Sequence, residues 1–154
     1  MSLRIIEGGL DDPRVQALVA LHQRLAREAT AQGFAFALDL SGLRVPEIRV
    51  FSAWDGQTLL GVGALKRMTP EHGEVKSMHT AEAARRRGVG AALLRRIIAA
   101  ARAAGMARLS LETGTSAYFQ AAVALYLAAG FVPCGPFGGY AGSPENRFLT
   151  LALA

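Results

Sequence analysis

The sequence predicts a mixed α/β (α+β) sheet in which an antiparallel part is followed by one parallel pair of strands. Two segments, Ile48–Trp54 and Thr58–Lys66, flank Asp55-Gly56, and this dipeptide between strands is a strong signal for a β-hairpin. A third strand, Glu74–Thr80, extends the hairpin into a meander. A glycine turn, a helix and a further strand follow, and this order favours parallel pairing because parallel neighbours need a crossover connection.

The first part of the chain predicts a short strand at 3–6 and then a helix. Asp11-Asp12-Pro13 is a typical helix start, because an acidic side chain caps free N–H groups and proline fits the first helical position. Apolar residues then recur every three or four positions, and we expect Gly33 to end the helix. The segment 34–46 lacks clean periodicity, which predicts a loop or short helix that could border a binding site.

The second half alternates helices and strands. The predicted elements are a helix from Val89 to Ala104 ended by Gly105, a strand from Ala107 to Thr113, a helix from Ala117 to Ala129 ended by Gly130, and closing strands at Phe131–Val132 and Arg147–Leu153. The glycine-rich tail Pro136–Gly142 predicts either a lip over an acceptor or a plain surface loop. Gly61-Val62-Gly63 lies inside a strand and predicts close backbone packing, and Trp54 is expected in the core.

Composition favours one folded domain spanning residues 1–154, since 51% of the residues are hydrophobic and 19% are charged. No apolar run approaches the roughly 20 residues of a membrane span, and the start lacks the apolar region of a signal peptide, so a cytoplasmic protein without membrane partners is expected. The single Cys134 has no companion thiol for a zinc site. We therefore expect no metal and a small buried cysteine.

Positive charge is concentrated in one part of the chain. The formal net charge is +5, and the stretch from Arg85 to Arg108 contains seven arginines and no acidic residue. A compact polyanion suits this distribution better than a long nucleic-acid duplex, and the chain has no recognition-module signature. Arginines on a solvated helix face remain the alternative for Arg95, Arg96, Arg102 and Arg108.

The run Arg85–Gly90 opens the arginine-rich helix and predicts a phosphate-binding turn. Its two glycines, Gly88 and Gly90, allow a tight bend that brings backbone N–H groups to a ligand, and the helix adds the positive end of its dipole. The turn is neither a P-loop nor a dinucleotide fingerprint, since it lacks the following Lys-Ser or Lys-Thr pair and a third glycine. Glycine used for turn geometry alone is the alternative.

Two ordered motifs carry a family resemblance. Arg85-x-x-Gly88-x-Gly90, followed by Ala-x-x-Leu-Tyr-x-x-x-Gly-Phe at 122–131, resembles the GCN5-related N-acetyltransferase (GNAT) superfamily. Three further segments, Gly73–Met78, Leu109–Gly114 and Phe131–Phe137, are similar to its bacterial YsnE-like branch. The resemblance implies a mostly antiparallel twisted sheet with a splayed parallel pair in the middle and helices on both faces.

The resemblance also implies that acetyl-CoA is the co-substrate and lies in a cleft between the strand ending near Thr80 and the strand 107–113. The pantetheine arm would pair with the backbone of residues 78–80, and amides of the turn would hold the pyrophosphate. The implied coenzyme-binding residues are Met78, His79, Thr80, Arg85, Arg86, Arg87, Gly88, Val89, Gly90 and Ala91.

The resemblance implies two catalytic residues. Tyr126 matches the position that supplies a proton to the departing thiolate, and a packed core tyrosine is the alternative. Glu74 matches the general base that acts on the amine, and an exposed strand-end acid is the alternative. Glu112 and His79 are further candidates for the base. Phe119 stands where many members carry asparagine, so a polar contact to the coenzyme is missing there.

The expected function is transfer of the acetyl group from acetyl-CoA to a primary amine of a small molecule, or to a peptide amine, by direct attack in a ternary complex. A non-catalytic acetyl-CoA-binding sensor is the alternative, and a nucleic-acid-binding domain is a third and weaker one. Segments 34–46 and 135–142 are expected to line the acceptor pocket, whose chemistry the sequence leaves open. The resemblance also allows a homodimer.

Overall fold

The computed structural model describes residues 2–153, which form a seven-stranded sheet with helices. The strands are β1 (Arg4–Glu7), β2 (Ile48–Asp55), β3 (Thr58–Arg67), β4 (His72–Thr80), β5 (Arg108–Gly114), β6 (Val132–Pro133) and β7 (Asn146–Ala152). Their order across the sheet is β1-β2-β3-β4-β5-β7-β6. Among the strands between residues 2 and 153, only β4 and β5 pair in parallel, and all other neighbours are antiparallel. The predicted fold class is confirmed.

Helices cover both faces of the sheet. They are α1 (Pro13–Glu28), α2 (Leu40–Leu43), α3 (Val89–Ala103) and α4 (Gln120–Ala128). Side chains alternate along β2, so that Val50 and Trp54 pack with α1 and α2, whereas Phe51 packs with α3. Trp54 is buried, as predicted, and its Nε1 donates a hydrogen bond to Ser52. None of the helices between residues 2 and 153 is long and apolar enough to cross a membrane.

Helix α1 begins as predicted but ends earlier than expected. Asp12 is its N-cap and accepts a hydrogen bond from the Arg14 N–H, and Pro13 is its first residue. The helix ends at Glu28, five positions before Gly33, because Ala26 is its last buried residue and no apolar face follows to hold a further turn against the sheet.

The two later helices differ in how closely they match the sequence prediction. Helix α3 starts directly after Gly88, which has a φ of 78°, and Gly105 turns the chain after it with a φ of 81°. The predicted helix from Ala117 begins instead with a 3₁₀ turn, Ala117–Phe119, before α4. No side chain caps this end, so the first turn tightens into the i→i+3 bond from the Phe119 N–H to the Ser116 carbonyl.

Two irregularities of β4 open the sheet. Val62 of β3 pairs with His79, but Ala64 pairs with Lys76, so β4 contains an extra residue, and Ser77 has a φ of 57° at this bulge. On its other side β4 pairs with β5 only from His72 to Glu74. The two strands therefore separate beyond Glu74, as the resemblance implied.

Glycine in β3 lets α3 lie close to the sheet. A Cβ atom on Gly61 would lie 3.0 Å from the His79 carbonyl oxygen and 3.1 Å from side-chain carbons of Val89 and Leu93. On Gly63 it would lie 2.6 Å from the Met78 sulfur. The prediction of close backbone packing at 61–63 is confirmed.

Replacement of Gly61 by alanine should destabilise the protein by about 1–3 kcal/mol, because the new methyl group meets a backbone oxygen that cannot move aside. Urea unfolding of Gly61→Ala and the parent protein measures the difference. Gly135→Ala is the matched control, since a Cβ there meets no atom within 4 Å, and its stability should change by less than about 0.5 kcal/mol. Equal unfolding midpoints for both variants would refute close packing at Gly61.

Candidate active site

A cleft of about 450 Å³ opens where β4 and β5 separate. Residues 74–80 of β4 and 112–114 of β5 form two of its walls, and α4 and the segment 34–37 add to the lining. At one end it reaches the turn after β4, and at the other it reaches Glu74. The cleft thus brings together parts of the chain that the sequence analysis singled out separately.

The turn between β4 and α3 presents free backbone donors. Arg86 and Gly88 both have positive φ values, 65° and 78°. The first backbone bond of α3 runs from the Ala92 N–H to the Gly88 carbonyl, and within residues 2–153 the N–H groups from Arg86 to Ala91 donate no hydrogen bond. Such a concave set of donors at a helix N-terminus binds anions.

The side chains of the turn divide between the cleft and its rim. The lining includes Arg85, Arg86, Val89 and Gly90. Arg87 and Gly88 are exposed and Ala91 is half-buried, and none of these three is in the lining. None of the ion pairs within the described residues includes Arg85, Arg86 or Arg87. Their guanidinium groups are therefore available to a phosphate.

Met78, His79 and Thr80 lie along the cleft as predicted. His79 and Thr80 pair with β3, Met78 lies in the bulge between the paired residues Lys76 and His79, and the β4 edge that faces β5 carries no ladder beyond Glu74. An extended ligand could hydrogen-bond to this free strand edge.

The His79 side chain is engaged with helix α1. Its Nδ1 lies 3.0 Å from Nδ1 of His22. Burial, followed by the charge of His79, lowers the pKa of His22 to about 4. Burial and then the Arg85 guanidinium lower the pKa of His79 as well. Both rings are neutral at pH 7, so one Nδ1–H donates to the other Nδ1, and this nitrogen of His79 is not free to act as a base.

Glu74 is buried at the point where the strands separate, so the expectation of an exposed strand-end acid is wrong. Its Oε2 accepts hydrogen bonds from the Tyr140 hydroxyl at 2.6 Å and from Lys76 Nζ at 3.1 Å. Lys76 Nζ also donates to the Tyr140 oxygen at 2.8 Å. The other carboxylate oxygen of Glu74, Oε1, receives no hydrogen bond from the described residues and keeps contact with solvent.

The glycine-rich tail is anchored beside this carboxylate. The rings of Phe137 and Tyr140 contact each other at 5.3 Å and also contact Phe148, and Phe36 meets Tyr140 at 5.3 Å. Burial, then the charge of Glu74, raises the pKa of Tyr140 far above its ordinary value, so its hydroxyl stays protonated and donates to Glu74. The tail thus packs against Glu74 through Tyr140, but residues 135–142 do not line the cleft, and of the segment 34–46 only residues 34–37 do, so the expectation that both segments line the pocket is only partly met.

Tyr126 combines a buried ring with a free hydroxyl. The side chain belongs to the core and contacts Phe131 edge-on at 5.9 Å. Its hydroxyl has no hydrogen-bond partner among residues 2–153, lines the cleft and retains solvent contact. Burial, then the Glu112 carboxylate, raises the pKa of Tyr126 well above its usual range. The hydroxyl therefore stays protonated at neutral pH and has no hydrogen-bond acceptor among the described residues.

Glu112 and Phe119 occupy the β5 side of the cleft. Burial raises the pKa of Glu112, and its Oε2 accepts a hydrogen bond of 2.6 Å from Nδ2 of Asn146. The Phe119 ring occupies the space that a Cβ on Gly114 would need. Phe119 therefore makes a packing contact with β5 and offers no polar group.

Cys134 lies outside this cleft. Cys134 is half-buried, more exposed than expected, and partial burial raises the pKa of its thiol. The structure, over residues 2–153, has no group of three or more potential metal-binding side chains.

Sequence reasoning missed Lys76, Tyr140 and Asn146. Lys76 lies two positions from Glu74, which places both side chains on one face of a strand and was a usable signal. Tyr140 binds Glu74, which is 66 residues away in sequence, and Asn146 binds Glu112, which is 34 residues away. No local sequence pattern indicates either pair.

Comparison with known proteins identifies the family. A model of the Acetyltransferase (GNAT) family matches residues 15–131. The chain is 46% identical over 144 residues to the uncharacterized N-acetyltransferase YedL of Escherichia coli strain K12, covering 94% of this chain and 91% of YedL. It is 47% identical over 117 residues to the uncharacterized N-acetyltransferase YsnE of Bacillus subtilis strain 168, covering 76% of this chain and 78% of YsnE.

A solved structure agrees in fold. A GNAT family acetyltransferase of Elizabethkingia anophelis, with acetyl-CoA bound, superposes with a TM-score of 0.72 at 20% identity and 97% coverage of each chain. This likeness confirms the predicted fold. The family match and the sequence relatives confirm the predicted resemblance and favour an enzyme over a non-catalytic sensor. The chain belongs to the GNAT family and is an acetyl-CoA-dependent acyltransferase.

Proposed function

We propose that the protein transfers the acetyl group of acetyl-CoA to a primary amine, in a small molecule or a peptide, by direct attack while both substrates are bound. The observation that carries this proposal is the continuity of the cleft. A single opening connects the free N–H groups after β4 with the unpartnered hydroxyl of Tyr126 and the carboxylate of Glu74. Holding two reactants in one such site converts a bimolecular step into one within a complex.

The chain offers a fitting site for each part of the coenzyme. Backbone N–H groups from Arg86 to Ala91 bind the pyrophosphate, and Arg85, Arg86 and Arg87 contribute charge. The free edge of β4 at Met78, His79 and Thr80 binds the pantetheine amides. When bound, the coenzyme supplies an acetyl group activated as a thioester.

Glu74 and Tyr126 handle the two protons of the reaction. Glu74 accepts, through water at its free Oε1, the proton that the amine loses as its nitrogen bonds to the acetyl carbon. Tyr126 donates its hydroxyl proton to the sulfur as the carbon–sulfur bond breaks, and solvent returns a proton to Tyr126 afterwards. Backbone N–H groups near Met78 stabilise the negative charge that develops on the acetyl oxygen.

The experiment that tests the proposal follows release of the free thiol of coenzyme A from acetyl-CoA in the presence of amines, amino acids and peptides. Acceptor-dependent thiol release, with the acetylated amine identified by mass spectrometry, is the expected result. Tight binding of acetyl-CoA without thiol release for any acceptor would refute transfer to an amine.

Introducing a negative charge at Gly88 should weaken acetyl-CoA binding. Gly88→Asp adds a negative charge within the turn that is proposed to hold the pyrophosphate, so calorimetry should give a dissociation constant raised by about tenfold or more. Gly88→Asn is the matched control, because asparagine has the same shape and tolerates the same left-handed backbone without the charge. Identical affinities for the two variants would argue against phosphate binding at this turn.

Removing the Tyr126 hydroxyl should impair turnover without impairing coenzyme binding. Tyr126→Phe keeps the ring against Phe131 and removes only the unpartnered hydroxyl, so kcat should fall by about a hundredfold or more. Calorimetry should show acetyl-CoA affinity unchanged. An unchanged kcat excludes Tyr126 as the proton donor.

Neutralising Glu74 should also lower kcat, by about a hundredfold or more, since the amine loses its base. Glu74→Gln alone leaves the buried Lys76 ammonium without its partner and should cost about 3–5 kcal/mol of stability. The double variant Glu74→Gln, Lys76→Met removes both charges and is the control for folding. A double variant that folds normally by urea unfolding and keeps the parent kcat would show that Glu74 is not the base.

A further inference from the structure

The end of the cleft beside Glu74 has an apolar wall. Phe34, Ala35, Phe36 and Ala37 line it, and Phe34 keeps 38% of its surface exposed. The wall is held in place from both sides: Asn146 Nδ2 donates to the Phe34 carbonyl at 3.1 Å, and the Phe36 ring contacts Tyr140. Contact between such an exposed aromatic side chain and an apolar ligand removes apolar surface from water and so favours binding.

This wall lies at the opposite end of the cleft from the arginines. Glu74 and Thr80 are six positions apart on β4, a span of somewhat less than the roughly 20 Å of a regular strand because of the bulge at Ser77. Arg85 and Arg86 follow Thr80 and lie with the phosphate-binding turn. Their charges are therefore remote from a ligand that rests against Phe34.

At the Glu74 end of the cleft, the carboxyl group of Glu112 forms no ion pair with a described residue. Lys76 and Glu74 form a buried pair, and the Lys76 ammonium is further occupied by Tyr140. Glu112 faces the same space, and its hydrogen-bond partner is the neutral amide of Asn146. His22 also lines the cleft and is uncharged at neutral pH. Among the lining residues at this end, no cation is free to bind an anionic ligand group.

From this placement of groups we infer that the acceptor is an amine with an apolar body and no carboxylate beside its nitrogen. The inference rests on the proposed transfer to an amine and specifies its substrate class. Glu112 attracts the ammonium form of the acceptor, and Phe34 and Phe36 cover its apolar body. The carboxylate of an α-amino acid would meet Glu112 and Glu74 with no free cation to compensate it, which is selection by repulsion.

The test compares three probes of graded chemistry: phenethylamine, L-phenylalanine, which adds a carboxylate to it, and ethanolamine, which lacks the apolar body. Each is titrated by calorimetry into the protein saturated with coenzyme A, and kcat/KM is measured separately by thiol release from acetyl-CoA. Phenethylamine should exceed both other probes by about tenfold or more in affinity and in kcat/KM.

Two variants assign the selection to named side chains. Glu112→Gln keeps an oxygen that can accept the Asn146 hydrogen bond and removes the charge, so the preference for phenethylamine over L-phenylalanine should shrink by about tenfold. Phe34→Ala should reduce the preference for phenethylamine over ethanolamine. Val132→Ala, at an exposed apolar residue of β6 outside the cleft, is the matched control and should leave both preferences unchanged.

The outcomes separate this inference from the proposed function. L-Phenylalanine binding as well as phenethylamine, or no binding of phenethylamine, overturns the substrate class. A preference that persists in Glu112→Gln overturns the role of Glu112. Selective binding of phenethylamine without thiol release from acetyl-CoA refutes acetyl transfer and leaves the inferred ligand class standing, because the calorimetric comparison does not require turnover.

Discussion

The active site depends on the loss of pairing between β4 and β5 after Glu74 and Ser110. Two adjacent strands that separate leave backbone donors and acceptors without partners, and these groups need water or a ligand. The bulge at Ser77 begins the divergence within β4, and Gly61 lets α3 start close to the His79 carbonyl. The free strand edge and the free helix N-terminus are consequently parts of one opening, because both result from the path that β4 takes out of the sheet.

The buried triad of Glu74, Lys76 and Tyr140 places a stabilised carboxylate at one end of that opening. A lone carboxylate at 2% exposure would be costly to desolvate, and the ammonium and the phenol compensate it with two hydrogen bonds to one oxygen. The second oxygen, Oε1, receives no hydrogen bond from the described residues. Tyr140 comes from the tail and also packs against Phe36. The residue that binds the carboxylate of Glu74 therefore also holds the apolar wall of residues 34–37 in place.

Features set by local chemistry could be predicted from the sequence, and features set by distant contacts could not. Asp12 with Pro13, the Asp55-Gly56 turn and the glycines after α3 and α4 each act within a few residues, and the structure has them where expected. The end of α1 is decided by where burial stops, which the pattern around Gly33 did not reveal. The hydrogen bonds of Tyr140 to Glu74 and of Asn146 to Glu112 join elements that meet only in the folded sheet. The sequence therefore marked the glycine turn and Tyr126 as candidates, but it did not reveal this hydrogen-bond network.

The contact between Phe119 and Gly114 restricts the evolutionary routes open to this site. Because the aromatic ring fills the space that any side chain at position 114 would occupy, position 114 cannot enlarge while Phe119 is present. Exchange of Phe119 for a smaller side chain frees space at 114, whereas enlarging 114 first displaces the ring. A larger residue at 114 is therefore accommodated only after exchange at 119.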